Sequence, residues 1–193
     1  MQPARRLATY QDLLALDEDV AAEILGGDVT TMPSPTPRHS RAQRALGRLV
    51  GGPYDDDDGR GGPGGWWILI EVDIELDAHN VVRPDLCGWR RERLPEPWDE
   101  RPLRVVPDWI CEVVSPHNAA RDRVTKRALY AAHGVSYYWL VDPVELMLEA
   151  LRLNGSQWLE LGSWDQTATA RIEPFVEVEL EIGRLFPPEP SKP

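Results

Sequence analysis

The chain has 193 residues, 42% of them hydrophobic, enough for one folded domain, expected over residues 1–185 with a disordered tail at 186–193. No run approaches the roughly 20 apolar residues of a membrane span, and the N-terminus mixes arginines with acids, so a membrane or secretory role is not expected and the reading is cytoplasmic. Two cysteines are too few for a disulfide framework, and a formal net charge of −11 counts against binding nucleic acid through general surface charge.

Taken in chain order, residues 10–25 read as one or two short amphipathic helical pieces, with Leu13, Leu14, Leu16, Val20 and Ile24 apolar and Gly26-Gly27 as the stop. Residues 28–32 suit a short strand. Thr36 and Pro37 fit the N-cap and first position of a helix over about 38–50. The Gly- and Asp-rich stretch 51–65, with four aspartates at 55–58, lacks EF-hand spacing and reads as a mobile solvated loop.

Residues 66–76 alternate strictly. Trp66, Ile68, Ile70, Val72, Ile74 and Leu76 fall on one side, and Glu71, Asp73 and Glu75 on the other, which predicts one long strand. A turn at Asp77-Ala78-His79-Asn80 leads to a second strand at about 81–89, and a third follows at 108–114. Asn118 is a candidate cap for a helix over 119–133 that Gly134 ends. SYYWLVD, at 136–142, is apolar enough for a sheet interior. A hairpin over 146–153 and 157–161 and a last strand at 176–180 complete a mixed α/β architecture, a central sheet flanked by helices.

Two strands carry an acid inside an apolar run, Asp85 in VVRPDLCGW and Glu112 in PDWICEVVSP. A charge in such a strand is costly unless it is paired or binds a metal. On neighbouring strands the two carboxylates would share one face and repel, and a divalent cation with oxygen ligands, magnesium or manganese, relieves the repulsion. The alternation puts Cys87 on the face of Asp85 and Cys111 opposite Glu112, so no disulfide is expected between them.

The chain has 21 Lys+Arg but only two lysines, Lys126 and, in the tail, Lys192. A solitary lysine in an arginine-rich domain suggests a need for a compact ammonium rather than a planar fork. Lys126 lies on the helix after the Glu112 strand, four residues beyond Asp122. Carboxylates, a metal and a lysine together suit phosphodiester hydrolysis. An equally weighted reading from spacing alone makes Asp85 and Glu112 edge-strand acids and Asp122–Lys126 an ordinary helical ion pair, worth about 0.3–0.5 kcal/mol. Residues 83–127 carry ten basic and eight acidic residues, against 11 and 24 elsewhere, so the motifs lie in the least acidic region.

RPDL, WICEVVSP and RDRVTKRALYAAHGVSYYWLVDP resemble the bacterial Uma family of restriction-endonuclease-like proteins, within the PD-(D/E)XK nuclease superfamily. The opening YQDLLALDEDVAAEILGGDVTTMPSPTPRHS resembles that family's usual beginning. The resemblance implies a PD-(D/E)XK core and a magnesium- or manganese-dependent endonuclease acting on nucleic acid, DNA in the first place. Carried over residue by residue, it makes Asp85, Glu112 and Lys126 catalytic, with Asp85, Glu112 and the backbone carbonyl of Val113 as metal ligands. Val114 stands where the parent motif has lysine, and Lys126 on the following helix takes that place.

His39, Glu71 and Asp122 are possible supporting residues, with capping or a solvated face as the competing explanation for the first two. Tyr130, Tyr137, Tyr138 and Trp139 suit core packing better than base stacking. Two alternatives stay open beside the endonuclease. One is an inactive binding or assembly module that keeps the fold, and the other is a hydrolase of small phosphate esters. A homodimer is a further expectation.

Overall fold

The computed structural model describes residues 6–116 and 118–188. Residues 189–193 of the expected tail lie outside the described residues, while Phe186, at its start, is buried in the core.

Helix α1 (Tyr10–Leu14) is little more than one turn, and the rest of the predicted N-terminal helical stretch is turns followed by a strand. Strands β1 (Ala22–Leu25) and β2 (Asp28–Thr31) form a hairpin in which Leu25 faces Asp28. Gly26 and Gly27 turn it, with φ of 60° and 80°, a conformation that two-residue hairpin loops require and glycine supplies without steric cost. Helix α2 (Pro37–Leu46) starts where expected, with the Thr36 side chain accepting from the His39 N–H. It then widens into π-type turns over Gly47–Asp56. Part of the stretch expected as a mobile loop is therefore helical. Its aspartates are also pinned: Asp55 accepts from the Ile68 N–H at 2.9 Å and pairs with Arg91 at 3.0 Å, and Arg91 also pairs with Asp58.

The single strand expected over 66–76 is two strands, β3 (Trp66–Leu69) and β4 (Ile74–Asp77). The single strand expected over 81–89 is likewise β5 (Asn80–Val82) and β6 (Leu86–Arg90). The breaks lie opposite each other, because β4 pairs with β5 and β3 with β6. The hairpin thus bends from one sheet into another. Glu71 stands on one side of the bend with φ of 52°, its N–H bonded to the Pro84 carbonyl at 3.2 Å. Asp85 stands on the other side.

Strand β7 (Trp109–Val113) is followed by a helical crossover of π-type turns, Arg121–Lys126, running into α3 (Arg127–Ala132), and then by β8 (Tyr137–Asp142). β7 and β8 are parallel, the pairing that needs such a crossover. Strands β9 (Met147–Asn154) and β10 (Gln157–Asp165) form the expected hairpin, and β11 (Thr169–Ile172) with β12 (Phe175–Glu181) a further one. One sheet has the order β10-β9-β8-β7-β6-β3 and a second β2-β1-β5-β4.

The mixed six-stranded sheet is covered on both faces. Trp109, Cys111 and Val113 point into a core shared with α2 and the β11–β12 hairpin, whereas Ile110 and Val114 point into one shared with Tyr130 of α3. The cysteines follow the alternation, with Cys111 in the first core and Cys87 in the second, both free thiols. No described helix is long and apolar enough to cross a membrane.

Candidate active site

The β6–β7 register places Leu86 opposite Cys111, so Asp85 comes level with Glu112 at the bend between the sheets. One Asp85 oxygen accepts from the Val113 backbone N–H at 2.7 Å, and the other meets His39 Nε2 at 2.8 Å. His39 lies on the first turns of α2. Gln43, one turn further on, donates to the Asp85 carbonyl at 3.2 Å and to Glu71 at 2.7 Å. Asp85, Val113, His39 and Glu71 are thus joined through α2 and two adjacent strands. Glu112 lies on β7, an interior strand between β6 and β8, and not on a sheet edge.

Lys126 reaches Glu112 from the other layer. Its ammonium lies 2.9 Å from Glu112 Oε1 and 2.7 Å from Glu23 Oε1, and the side chain is 2% exposed. Tyr130, one turn beyond Lys126, donates to the same Glu112 oxygen at 2.6 Å. The ion pairs that hold Lys126 are therefore with acids far off in the chain. Asp122 is buried nearby, and its backbone carbonyl accepts from the Tyr138 hydroxyl at 3.0 Å. Tyr130, Tyr138 and Trp139 are core residues, as expected, with the first two rings packed edge to face at 5.2 Å.

Glu23 and Gln43 were missed in the sequence. Glu23 sits on β1, where the expected helix put no emphasis on it. It is completely buried, and its Oε1 also accepts from the Arg83 N–H at 2.8 Å. The alternation Ala22-Glu23-Ile24 before a Gly-Gly turn was the available signal. For Gln43 the signal was its position one helical turn after His39.

The electrostatics are those of crowded acids. Glu23, Glu112 and Asp122 are buried and act on one lysine, and Asp85, also buried, acts on Glu112. Burial, reinforced by Asp122, Asp85 and Glu23, pushes the Glu112 carboxyl up to about 8 although Lys126 opposes it. Burial likewise raises Asp122 to about 6, against Lys126 and Arg121. Burial works against the Lys126 ammonium, but Glu112, Glu23 and Asp122 outweigh it and raise its pKa. Burial also disfavours a charged His39, but its hydrogen bond to Asp85 together with the charges of Asp85, Glu71 and Asp122 outweighs burial, so its pKa is raised.

Glu23 Oε2 is buried without a hydrogen-bond partner among the described residues. Excess negative charge, a bare carboxylate oxygen and hard oxygen donors fit a divalent cation. Among the described residues no three His, Cys, Asp or Glu groups form a ready-made metal cluster. Magnesium is commonly held by only one or two carboxylates, with waters and substrate phosphates filling the rest, and the donor set here matches that pattern.

The bent hairpin, the mixed sheet with its crossover helix and the buried acid–lysine centre define a restriction-endonuclease-like α/β protein. The family model Uma2, described as "Putative restriction endonuclease", matches residues 7–184, and the chain belongs to that family. The chain is similar to a crystal structure from Anabaena variabilis ATCC 29413, described as a "putative nuclease belonging to DUF820". That likeness has 23% identity and a TM-score of 0.66, over 92% of this chain and 97% of the other, and it concerns the fold. A more distant likeness, to the DrdV–DNA complex, has 15% identity and a TM-score of 0.35, over 65% of this chain and 12% of the other. No curated protein matches the chain.

Proposed function

We propose that the protein is a divalent-metal-dependent nuclease that hydrolyses phosphodiester bonds, with DNA the expected substrate. The observation that supports this best is the burial of Lys126 between Glu112 and Glu23, next to an Asp85 anchored on the Val113 peptide. An ordinary stabilising ion pair would not need three buried carboxylates, Glu112, Glu23 and Asp122, acting on one ammonium, because removing charges from water is costly. Family membership points the same way.

In this reading Asp85, Glu112 and the Val113 carbonyl hold magnesium or manganese, which when bound lowers the pKa of a coordinated water and offsets charge on the phosphate. Asp85 is oriented by the Val113 N–H and by His39. Lys126 positions the attacking water or offsets negative charge developing on the phosphate, and Tyr130 and Glu23 hold its ammonium and Glu112 in place. His39, Glu71 and Asp122 act as positioning groups, Glu71 through Gln43.

The test is incubation of the purified chain with single-stranded and duplex DNA and RNA, with magnesium, manganese or a chelator. Cleavage that needs the metal and falls at least a hundredfold in Asp85→Asn is expected. Metal-independent cleavage, or cleavage untouched by that substitution, would overturn the reading.

A second reading, a non-catalytic binding module, is favoured by the closure of Lys126 within internal ion pairs and by Val114 in the parent motif's lysine position. Calorimetric titration with manganese separates the two, since only the nuclease requires saturable binding lost in Asp85→Asn.

A further inference from the structure

We propose that a cavity beside the acid centre takes one unstacked nucleotide of the substrate strand, so that the protein acts on single-stranded or frayed nucleic acid in preference to intact duplex. The inference rests on the nuclease reading and adds the state of the strand. The cavity encloses about 420 Å³, within the range of about 300–1,000 Å³ usual for small-ligand sites. Pro37, Val114, Pro116, Pro143 and Val144 make its walls apolar. His39 is both part of its lining and the partner of Asp85, so an occupant would lie next to the centre where a phosphate would be cleaved.

The walls are fixed before any ligand arrives. The Asp142 carboxylate accepts from the N–H groups of Val144 and Glu145 at 3.0 Å each, which sets the turn bearing Pro143 and Val144. The Val114 N–H donates to the Val141 carbonyl at 2.8 Å, tying the opposite wall to the same strand end. Thr36 caps α2 and so places Pro37, Arg38 and His39. Flat apolar walls suit the face of a base.

The charge at the entrance suits the rest of a nucleotide. Arg38 is exposed at the entrance and suits a flanking phosphate. Among the described residues no acidic side chain lines the cavity, in a chain whose net charge is −11. A second cavity of about 530 Å³, beside Trp98, sets four acids, Glu71, Asp73, Asp99 and Glu100, against two arginines, Arg83 and Arg101, so its lining keeps a net negative charge that disfavours phosphate. In a duplex the base must first be unpaired and unstacked, a cost that single strands and frayed ends avoid.

The test titrates the full chain, without metal, with thymidine 5′-monophosphate and with base-free deoxyribose 5-phosphate. The nucleotide is expected to bind at least tenfold more tightly than the base-free sugar phosphate. Val144→Trp, which fills the mouth from a half-exposed position, and Val144→Glu, which places an acid there, should each cost tenfold with the thermal melt unchanged. In cleavage assays single strands should be cut at least tenfold faster than duplex, and Val144→Trp should abolish that preference. Equal affinity for both ligands, or binding indifferent to both substitutions, overturns the cavity proposal. Nucleotide binding without cleavage upholds the cavity and removes the nuclease reading. Cleavage by a chain that fails to bind the nucleotide removes the cavity and leaves the nuclease.

Discussion

Lys126 illustrates how much one side chain can carry. It neutralises parts of two buried carboxylates at once, Glu112 at 2.9 Å and Glu23 at 2.7 Å. Lys126→Met removes the cation and leaves both acids in the interior. Breaking a buried ion pair in this way costs about 3–5 kcal/mol, and part is recovered as Glu112, already raised by burial, takes up a proton. The expected outcome in urea unfolding at neutral pH is a loss in that range. Adding Glu23→Gln and Glu112→Gln to the same chain should return at least half of it, because the uncompensated charge has gone. A triple variant no more stable than Lys126→Met would show that the cost lies in packing and not in charge. Lys126 was legible in the sequence because arginine is used almost everywhere else. Its partner Glu23 was not, since the one signal, the alternation in Ala22-Glu23-Ile24 before the Gly-Gly turn, is too short to tell a buried acid on a strand from a solvated one on a helix.

At the level of elements, what escaped the sequence was the change from one sheet to another. Alternation runs unbroken in the sequence from Trp66 to Leu76, yet Trp66 and Ile68 enter the first core and Ile74 and Leu76 the second, so periodicity alone could not show the bend at Ile70–Asp73. The bend is what brings Glu71 and Asp85 together, hence the motif was readable and its neighbourhood was not. The N-terminal hairpin was hidden in a similar way. Helical spacing of leucines competed with the Gly26-Gly27 turn, and the turn is correct, because both residues have positive φ. The two glycines should differ sharply on substitution. A Cβ on Gly26 meets nothing within 4 Å, and asparagine tolerates its conformation, so Gly26→Asn should change stability by no more than about 0.5 kcal/mol. A Cβ on Gly27 would lie 2.7 Å from Leu7 Cβ. The left-handed conformation alone costs about 1–2 kcal/mol for a residue with a side chain, so Gly27→Ala should lose more than 1 kcal/mol. Paired thermal melts of the two variants decide it, and equal effects would mean that the turn can rearrange.

For the whole molecule, the acid centre depends on two cores lying on opposite faces of one sheet. The second core carries Lys126 and Tyr130 to Glu112, and the first carries α2, with His39 and Gln43, to Asp85. The first core is closed by the β11–β12 hairpin, whose Phe175 is wholly buried among Tyr54, Trp66, Trp109 and Trp139, with ring centroids 4.7–5.6 Å away. Trp139 adds a hydrogen bond to the Glu173 carbonyl at 2.9 Å, just before Phe175. Phe175→Ala removes the ring that all four aromatics share. Large-to-small changes of this kind cost about 3–5 kcal/mol, and an interior closely packed on every side can collapse only partly around the gap. The loss should therefore appear as a lower midpoint of one cooperative unfolding transition followed by tryptophan fluorescence, because three of the ring's four neighbours are tryptophans. Below that midpoint the second core is untouched, so Lys126 keeps its ion pairs, whereas α2 loses part of its support and His39 its fixed distance to Asp85. Nuclear magnetic resonance of the histidine ring should show His39 broadened or shifted in the folded variant while the buried Tyr130 hydroxyl stays protected from exchange. Equal disturbance of both groups would mean that the sheet transmits the defect and that the two faces do not support the centre independently.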